Sequence, residues 1–175
     1  MNDKLKHEDY VTHIKNKEDY VYLKSKHFPV NMRLFRTSVY YKQLILDQCE
    51  YIRMLCLAEK EGYKKPHGMS SANAGLAFNI IGVTIHRNTN KEYCAIMINP
   101  KILGYGGKKI ISNSNCGSLT LDEPIKVERS EEVFVEWYDE RGEYNRGNFD
   151  RSQGSLTIQH EIDHNEGILI TDRKI

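Results

Sequence analysis

Charge of one sign is what this chain most lacks: 25 Lys and Arg stand against 24 Asp and Glu, a formal net of +1. That balance removes the general electrostatic case for binding nucleic acid or an anionic membrane, and neither is expected as a partner. Paired cysteines are lacking too. Cys49, Cys56, Cys94 and Cys116 show no C-x-x-C spacing, so neither a zinc knuckle nor a redox dithiol is indicated. No run of residues approaches the length of a membrane span. Residues 1–20 are charged throughout, without the apolar stretch of a secretory leader. These absences lead to the expectation of a cytoplasmic protein. Internal repeats and low-complexity tracts are also missing.

The 175 residues fit a single domain, 1–175, large enough to bury about two thirds of its unfolded surface. Residues 1–26 are expected to hold a short helix or to form a partly disordered extension, and Phe28-Pro29-Val30 a turn or short extended piece. Over residues 38–61, Tyr41, Leu44, Ile45, Cys49, Ile52, Leu55 and Cys56 fall on one stripe. The spacing predicts a long core-facing helix stopped at Gly62. A basic loop at 64–67 precedes a small-residue-rich run, 73–83, suited to a backbone that passes close to another element or a ligand. Residues 83–86 and 93–98 read as strands joined by a turn at Asn88-Thr89-Asn90, the second ended by Asn99-Pro100. Shorter strands are expected at 101–103, 109–111, 119–121 and 133–138, with a hairpin turn at Arg141-Gly142. Many short strands, one long early helix and one late helix predict an α+β fold, with small antiparallel or mixed sheets around a central late helix.

That late helix carries the chemistry. Gln159-His160-Glu161-Ile162-Asp163-His164 is an H-E-x-x-H pattern, with Leu156, Ile158 and Ile162 at helical spacing. Ser152 or Ser155 is expected to cap its start and Gly167 to close it. Residues four apart share a helix face, so His160 and His164 can aim at a single cation, with Glu161 beside them as a proton acceptor. Downstream of His164 only Glu166 and Asp172 carry carboxylates. A third ligand is therefore expected from upstream.

Taken with two upstream segments, the motif resembles the peptide deformylase family. Gln159 to His164, then Gly167 and Asp172-Arg173, follow that family's Q-H-E-x-D-H…G…D-R, with Asn165 where the family usually has Leu. Its first motif, G-x-G-L-A-A-P-Q-I-G-V, aligns without gaps to residues 73–83, matching at Gly75, Leu76, Ala77, Ile81, Gly82 and Val83. Its second, E-G-C-L-S, aligns to Cys116-Gly117-Ser118-Leu119-Thr120. Ile98-Asn99-Pro100 and Val127-Glu128-Arg129 resemble the family's I-N-P and V-x-R. The resemblance spans residues 38–173.

The resemblance implies a metal-dependent amide hydrolase that removes the N-formyl group from the N-terminal methionine of nascent polypeptides. It implies Fe2+ or Zn2+ held by His160 and His164, Glu161 as general base, and the Leu119 backbone N–H as oxyanion donor. Gly75, Leu76, Gly117 and Ser118 are the implied substrate-binding positions. In this alignment Ser118 takes the place of the family's Cys ligand, and Ile80 that of its oxyanion-binding Gln. A neutral hydroxyl binds a divalent metal weakly, and Ile80 cannot donate. Reduced or altered activity is therefore expected. Cys116 is a substitute ligand only if the strand slips, since one pleat displaces it by about 6–7 Å. The alternative is a non-catalytic paralogue that binds a metal, formylated N-termini or a partner at the ribosome exit.

Overall fold

The computed structural model describes residues 21–57, 65–119 and 121–175. The apolar stripe in the first half does form a helix. After a short helix, α1 (Met32–Thr37), capped by the Asn31 side chain, α2 runs over Val39–Leu57. Ile45, Cys49, Ile52, Leu55 and Cys56 are buried on one side of α2, as their spacing requires, while Leu44 stands at the edge of the stripe and is partly exposed. The stop expected at Gly62 lies outside the described residues. So do residues 1–20 of the expected extension. Its remainder is not loose: Leu23 is fully buried against Ala72 and Leu169.

The strands form one five-stranded antiparallel sheet rather than several small ones, in the order β1 to β5. They are β1 (Gly68–Ser70), β2 (Ile80–Ile85), β3 (Tyr93–Ser114), β4 (Ile125–Tyr138) and β5 (Tyr144–Phe149). The turns expected at residues 88–90 and 141–142 do join neighbouring strands, and Gly142 supplies the positive φ (84°) of its turn. Asn99-Pro100 does not end a strand. It forms a bulge in the long β3, with Asn99 at φ 52°. There the Asn99 side chain accepts from Val30 N–H (2.7 Å) and donates to Val30 C=O (2.8 Å), anchoring the N-terminal segment. The strands expected at 101–103 and 109–111 are parts of β3, and that at 133–138 is the second half of β4. No strand forms at Leu119, which lies in a bend after a turn.

β2 is apolar on both faces because both faces are covered. Ile80 joins the cluster built on α2, whose Ile52 and Cys56 also crowd Gly82, whereas Ile81, Val83 and Ile85 pack with Ile158 on the opposite side. The period-two pleat thus assigns even-numbered residues to α2 and odd-numbered ones to the late helix. Each fully buried Ile contributes about 1.5–3 kcal/mol to this packing.

The late helix, α3 (Ser155–Asn165), is capped by Gly154 rather than by a serine, and Gly154 makes no side-chain cap. Ser152 bonds to Asp150 in the preceding 3-10 turn, and Ser155 donates to the Glu131 carbonyl (2.7 Å). Gly167 closes the helix at φ 73°, and a Cβ there would run into the Lys24 backbone. This helix is polar yet buried, so its stability rests on partners as well as on apolar area. Gln159 accepts from Ser130 N–H (3.1 Å) and donates to Ser130 C=O (2.8 Å), supplying the bonds a neighbouring strand would make. Asp163 pairs with Arg129 (2.9 Å) and Arg173 (2.7 Å).

Candidate metal centre

On α3 the one-turn offset does bring the two imidazoles together: His160 Nε2 and His164 Nε2 stand 3.2 Å apart. The third donor is Cys116, whose Sγ lies 3.2 Å from His164 Nε2. All three ligand atoms fall within 4.8 Å of one another. A tetrahedral cation with bonds near 2.1 Å to nitrogen and 2.3 Å to sulfur sets its ligand atoms about 3.3–3.6 Å apart, close to the two 3.2 Å spacings that His164 makes. One thiolate and two imidazoles form a borderline-soft set suited to zinc or a late first-row metal and poorly suited to magnesium or calcium. Three protein ligands leave a fourth position open, the arrangement of a catalytic rather than a structural site.

Cys116 therefore stands where the motif alignment puts Ser118, and the reason is local. β3 ends at Ser114, and residues 116–119 form a turn closed by Leu119 N–H on the Cys116 carbonyl (3.2 Å). The pleat that would have displaced Cys116 by a full step does not reach it. Ser118 is fully buried, and its backbone N–H acts on the Cys116 thiol. The Leu119 N–H closes this turn and also acts on the Cys116 thiol. Gly117, by contrast, lines the cleft, and no neighbour crowds its Cα.

Burial dominates the protonation of every group here. It lowers His160 well below its ordinary value, and the neighbouring His164 adds to the effect. It brings His164 down to about 4, so both rings are neutral near pH 7, as ligands must be. The Cys116 thiol is pushed up to about 11 by burial, opposed by the Ser118 N–H; a cation at the centre reverses that balance. Burial pushes Glu161 up to about 8, opposed by Arg129 and by a hydrogen bond from the Ser70 backbone. Glu161 Oε2 is buried without a partner, which is unusual for a carboxyl held only for structure.

The site opens into a cleft of about 1010 Å³ whose wall includes Gly68, Met69, Asn73, Gly117, His160 and Glu161. Three positions expected from the first motif are elsewhere. Ile80 is fully buried on the α2 face of β2, turned away from the histidines by the pleat. Gly75 is exposed at φ 71° in the turn, and Leu76 packs against the α2 cluster; neither lines the cleft. Gly68 and Asn73 take their place. Any side chain at 68 would strike Thr157 and the Glu161 carboxyl. Asn73 is buried, with Oδ1 unpartnered. Only the His67-Gly68 step after a basic loop signalled Gly68 in the sequence, and Asn73 was visible only as a small polar residue inside the motif.

Asn165 holds this wall to α3. Its Oδ1 accepts from Ser71 Oγ (3.0 Å), and its Nδ2 donates to Asn79 Oδ1 (3.0 Å) and to the Ile80 carbonyl (3.0 Å). Asn165→Leu leaves these buried groups unmatched and is expected to cost about 1–3 kcal/mol. Urea denaturation measures this, and an unchanged midpoint would refute the clamp.

Comparison with known proteins identifies the family. The family model described as polypeptide deformylase matches residues 51–175. The peptide deformylase of Listeria welshimeri is 29% identical over 118 residues, covering 66% of this chain and 64% of that protein. That of Streptococcus pyogenes is 28% identical over 128 residues, covering 67% and 62%. The chain thus spans a little under two thirds of the length of these relatives. Among solved structures, a class I type b peptide deformylase of Acinetobacter baumannii with Met-Ala-Ser bound superposes with a TM-score of 0.71 at 21% identity, over 93% of this chain and 96% of that one. A peptide deformylase of Thermotoga maritima gives 0.69 at 21%, over 95% and 97%. At that identity the structures speak to the fold alone. A metal-type Cys-His-His cluster whose histidines lie on an H-E-x-x-H helix, in a matching fold and under a family model covering most of the chain, leads to one conclusion: this chain belongs to the polypeptide deformylase family.

Proposed function

We propose that the protein removes the formyl group from the N-terminal methionine of nascent polypeptides as they leave the ribosome in the cytoplasm, using Fe2+ or Zn2+ held by Cys116, His160 and His164. The observation that carries this reading is the convergence of those three ligand atoms beside Glu161 in one cleft. When bound, the cation supplies Lewis-acid polarisation of the formyl carbonyl and makes water more acidic. The protein's own groups do the rest. Glu161 Oε2 takes a proton as water adds to the formyl carbon and returns it to the methionine nitrogen as the C–N bond breaks, giving formate and a free amine. Gly68 leaves room for that carboxyl, and the Ser70 N–H orients it. The Gly117 backbone and the Asn73 amide, both on the cleft wall, are the donors available to the carbonyl oxygen.

Cys116 as the third ligand and the burial of Ile80 on the α2 face favour turnover over the reduced activity expected from Ser118 and Ile80. A purely binding role gives no reason for an unpartnered buried carboxyl beside the ligands. Formate release from formyl-Met-Ala-Ser by protein loaded with Fe2+ without oxygen tests the proposal; release no faster than in buffer overturns it. In the same assay Asn73→Ala is expected to lower kcat by about 10²–10³.

A further inference from the structure

Cys56 and Cys94 have no C-x-x-C spacing, yet the fold brings their side chains to one point above Gly82. Cys56 ends the buried stripe of α2, and Cys94 lies near the start of β3. A Cβ on Gly82 would stand 2.9 Å from Cys56 Sγ and 3.0 Å from Cys94 Sγ. Because residue 82 has no side chain, it puts nothing between the two sulfurs. Each thiol acts on the other, and this contact, ahead of burial, raises Cys56 and lowers Cys94. Arg53 favours the thiolate at both positions. Cys56 is fully buried, whereas Cys94 keeps 8% of its surface exposed, so Cys94 is the sulfur a small oxidant reaches first. Neither belongs to the cluster of Cys116, His160 and His164. Cysteines that only fill a core behave as small apolar groups. A lowered, slightly exposed thiol beside a second sulfur is instead the arrangement of a redox pair.

We propose that Cys56 and Cys94 form a reversible disulfide when the protein meets a peroxide, an oxidant small enough to reach a nearly closed gap. The Cys94 thiolate attacks one peroxide oxygen. An S–O bond forms, the O–O bond breaks, and the leaving hydroxide departs as water with the proton Cys94 gave up. Cys56 Sγ then attacks the Cys94 sulfur. The S–S bond forms, the S–O bond breaks, and the hydroxide leaves with the Cys56 proton as a second water. The two thiols lose two electrons, and the peroxide gains them. The bridge ties the end of α2 to β3 and closes the ring of residues 56–94. That ring includes Gly68, Met69 and Asn73 of the cleft wall, so the bridge stabilises the wall against unfolding. The deformylase reading uses neither cysteine, and the two stand or fall separately.

The test treats the unaltered protein with hydrogen peroxide, alkylates it in denaturant and digests it without reductant. Mass spectrometry is expected to find the Cys56 and Cys94 peptides linked, about 2 Da lighter than the two thiol peptides together. Dithiothreitol should separate them. The urea midpoint of the oxidised protein should rise and return on reduction, and in Cys94→Ala peroxide should not raise it. Alkylation of both Cys56 and Cys94 after peroxide treatment overturns the proposal. So does a link from either one to Cys49 or Cys116 in place of the other, or Cys94 carried to sulfinic acid with Cys56 still free. A link that forms without raising the midpoint overturns its role as a tether. If Cys94→Ala fails to fold, the peptide map and midpoint of the unaltered protein decide the matter.

Discussion

Cys116→Ser is expected to strip the cation from the protein, lowering its metal affinity by at least about 10²-fold. Loss of a group that merely orients a metal ligand costs about 10–100-fold, and removal of an anionic ligand itself costs more. The serine hydroxyl is neutral near pH 7 and a harder, weaker donor. Metal content after dialysis against a mild chelator measures the effect directly. Ser118→Ala serves as the contrast. Ser118 carries a neutral, buried hydroxyl, a weak metal donor, so its removal should leave the metal stoichiometry near that of the unaltered protein. Ser118→Cys should not raise it. Full retention of metal by Cys116→Ser, with loss in Ser118→Ala, would show that Ser118 and not Cys116 is the third ligand.

Glu161→Gln is expected to reduce kcat by about 10²–10⁴ while leaving metal content and peptide binding in place. The substitution keeps the shape that Gly68 and Thr157 enclose, and it removes only the ability to accept a proton at Oε2. Burial already draws the carboxyl up to about 8, close to the range in which a group can both take and return a proton. Paired measurements of formate release and metal stoichiometry separate this role from a structural one. Were the Glu161→Gln variant as active as the unaltered protein, Glu161 would have no part in the chemistry. If neither form turned over any formyl peptide, the cleft would be a binding site alone.

The placement of Ile80, Gly75 and Leu76 away from the cleft has a physical cause. The ungapped match of residues 73–83 to a family motif counted identities, and Gly82 and Val83 supplied some of them. Those residues, however, lie in the middle of β2, where α2 crowds Gly82 on one face and Val83 packs toward α3 on the other. An apolar run buried on both faces carries no alternation to fix its register, so nothing in the sequence opposed the match. The strand boundary at Asn99-Pro100 failed in a similar way. Asn99 adopts a positive φ and β3 continues past it as a bulge, an outcome secured by its bonds to Val30, 69 residues away in the chain.

Local periodicity alone determined α2, α3, the hairpin turns at residues 88–90 and 141–142, and the meeting of His160 with His164. Each of these depends on groups a few residues apart, whose geometry the helix or turn dictates. The third ligand and the donors on the cleft wall were decided only in three dimensions. Cys116 and His164 are 48 residues apart, and their contact depends on β3 ending at Ser114 so that a turn can carry the sulfur inward. Where a long strand stops, and which way its pleat faces, is settled by pairing and packing with distant segments, and no local pattern records it.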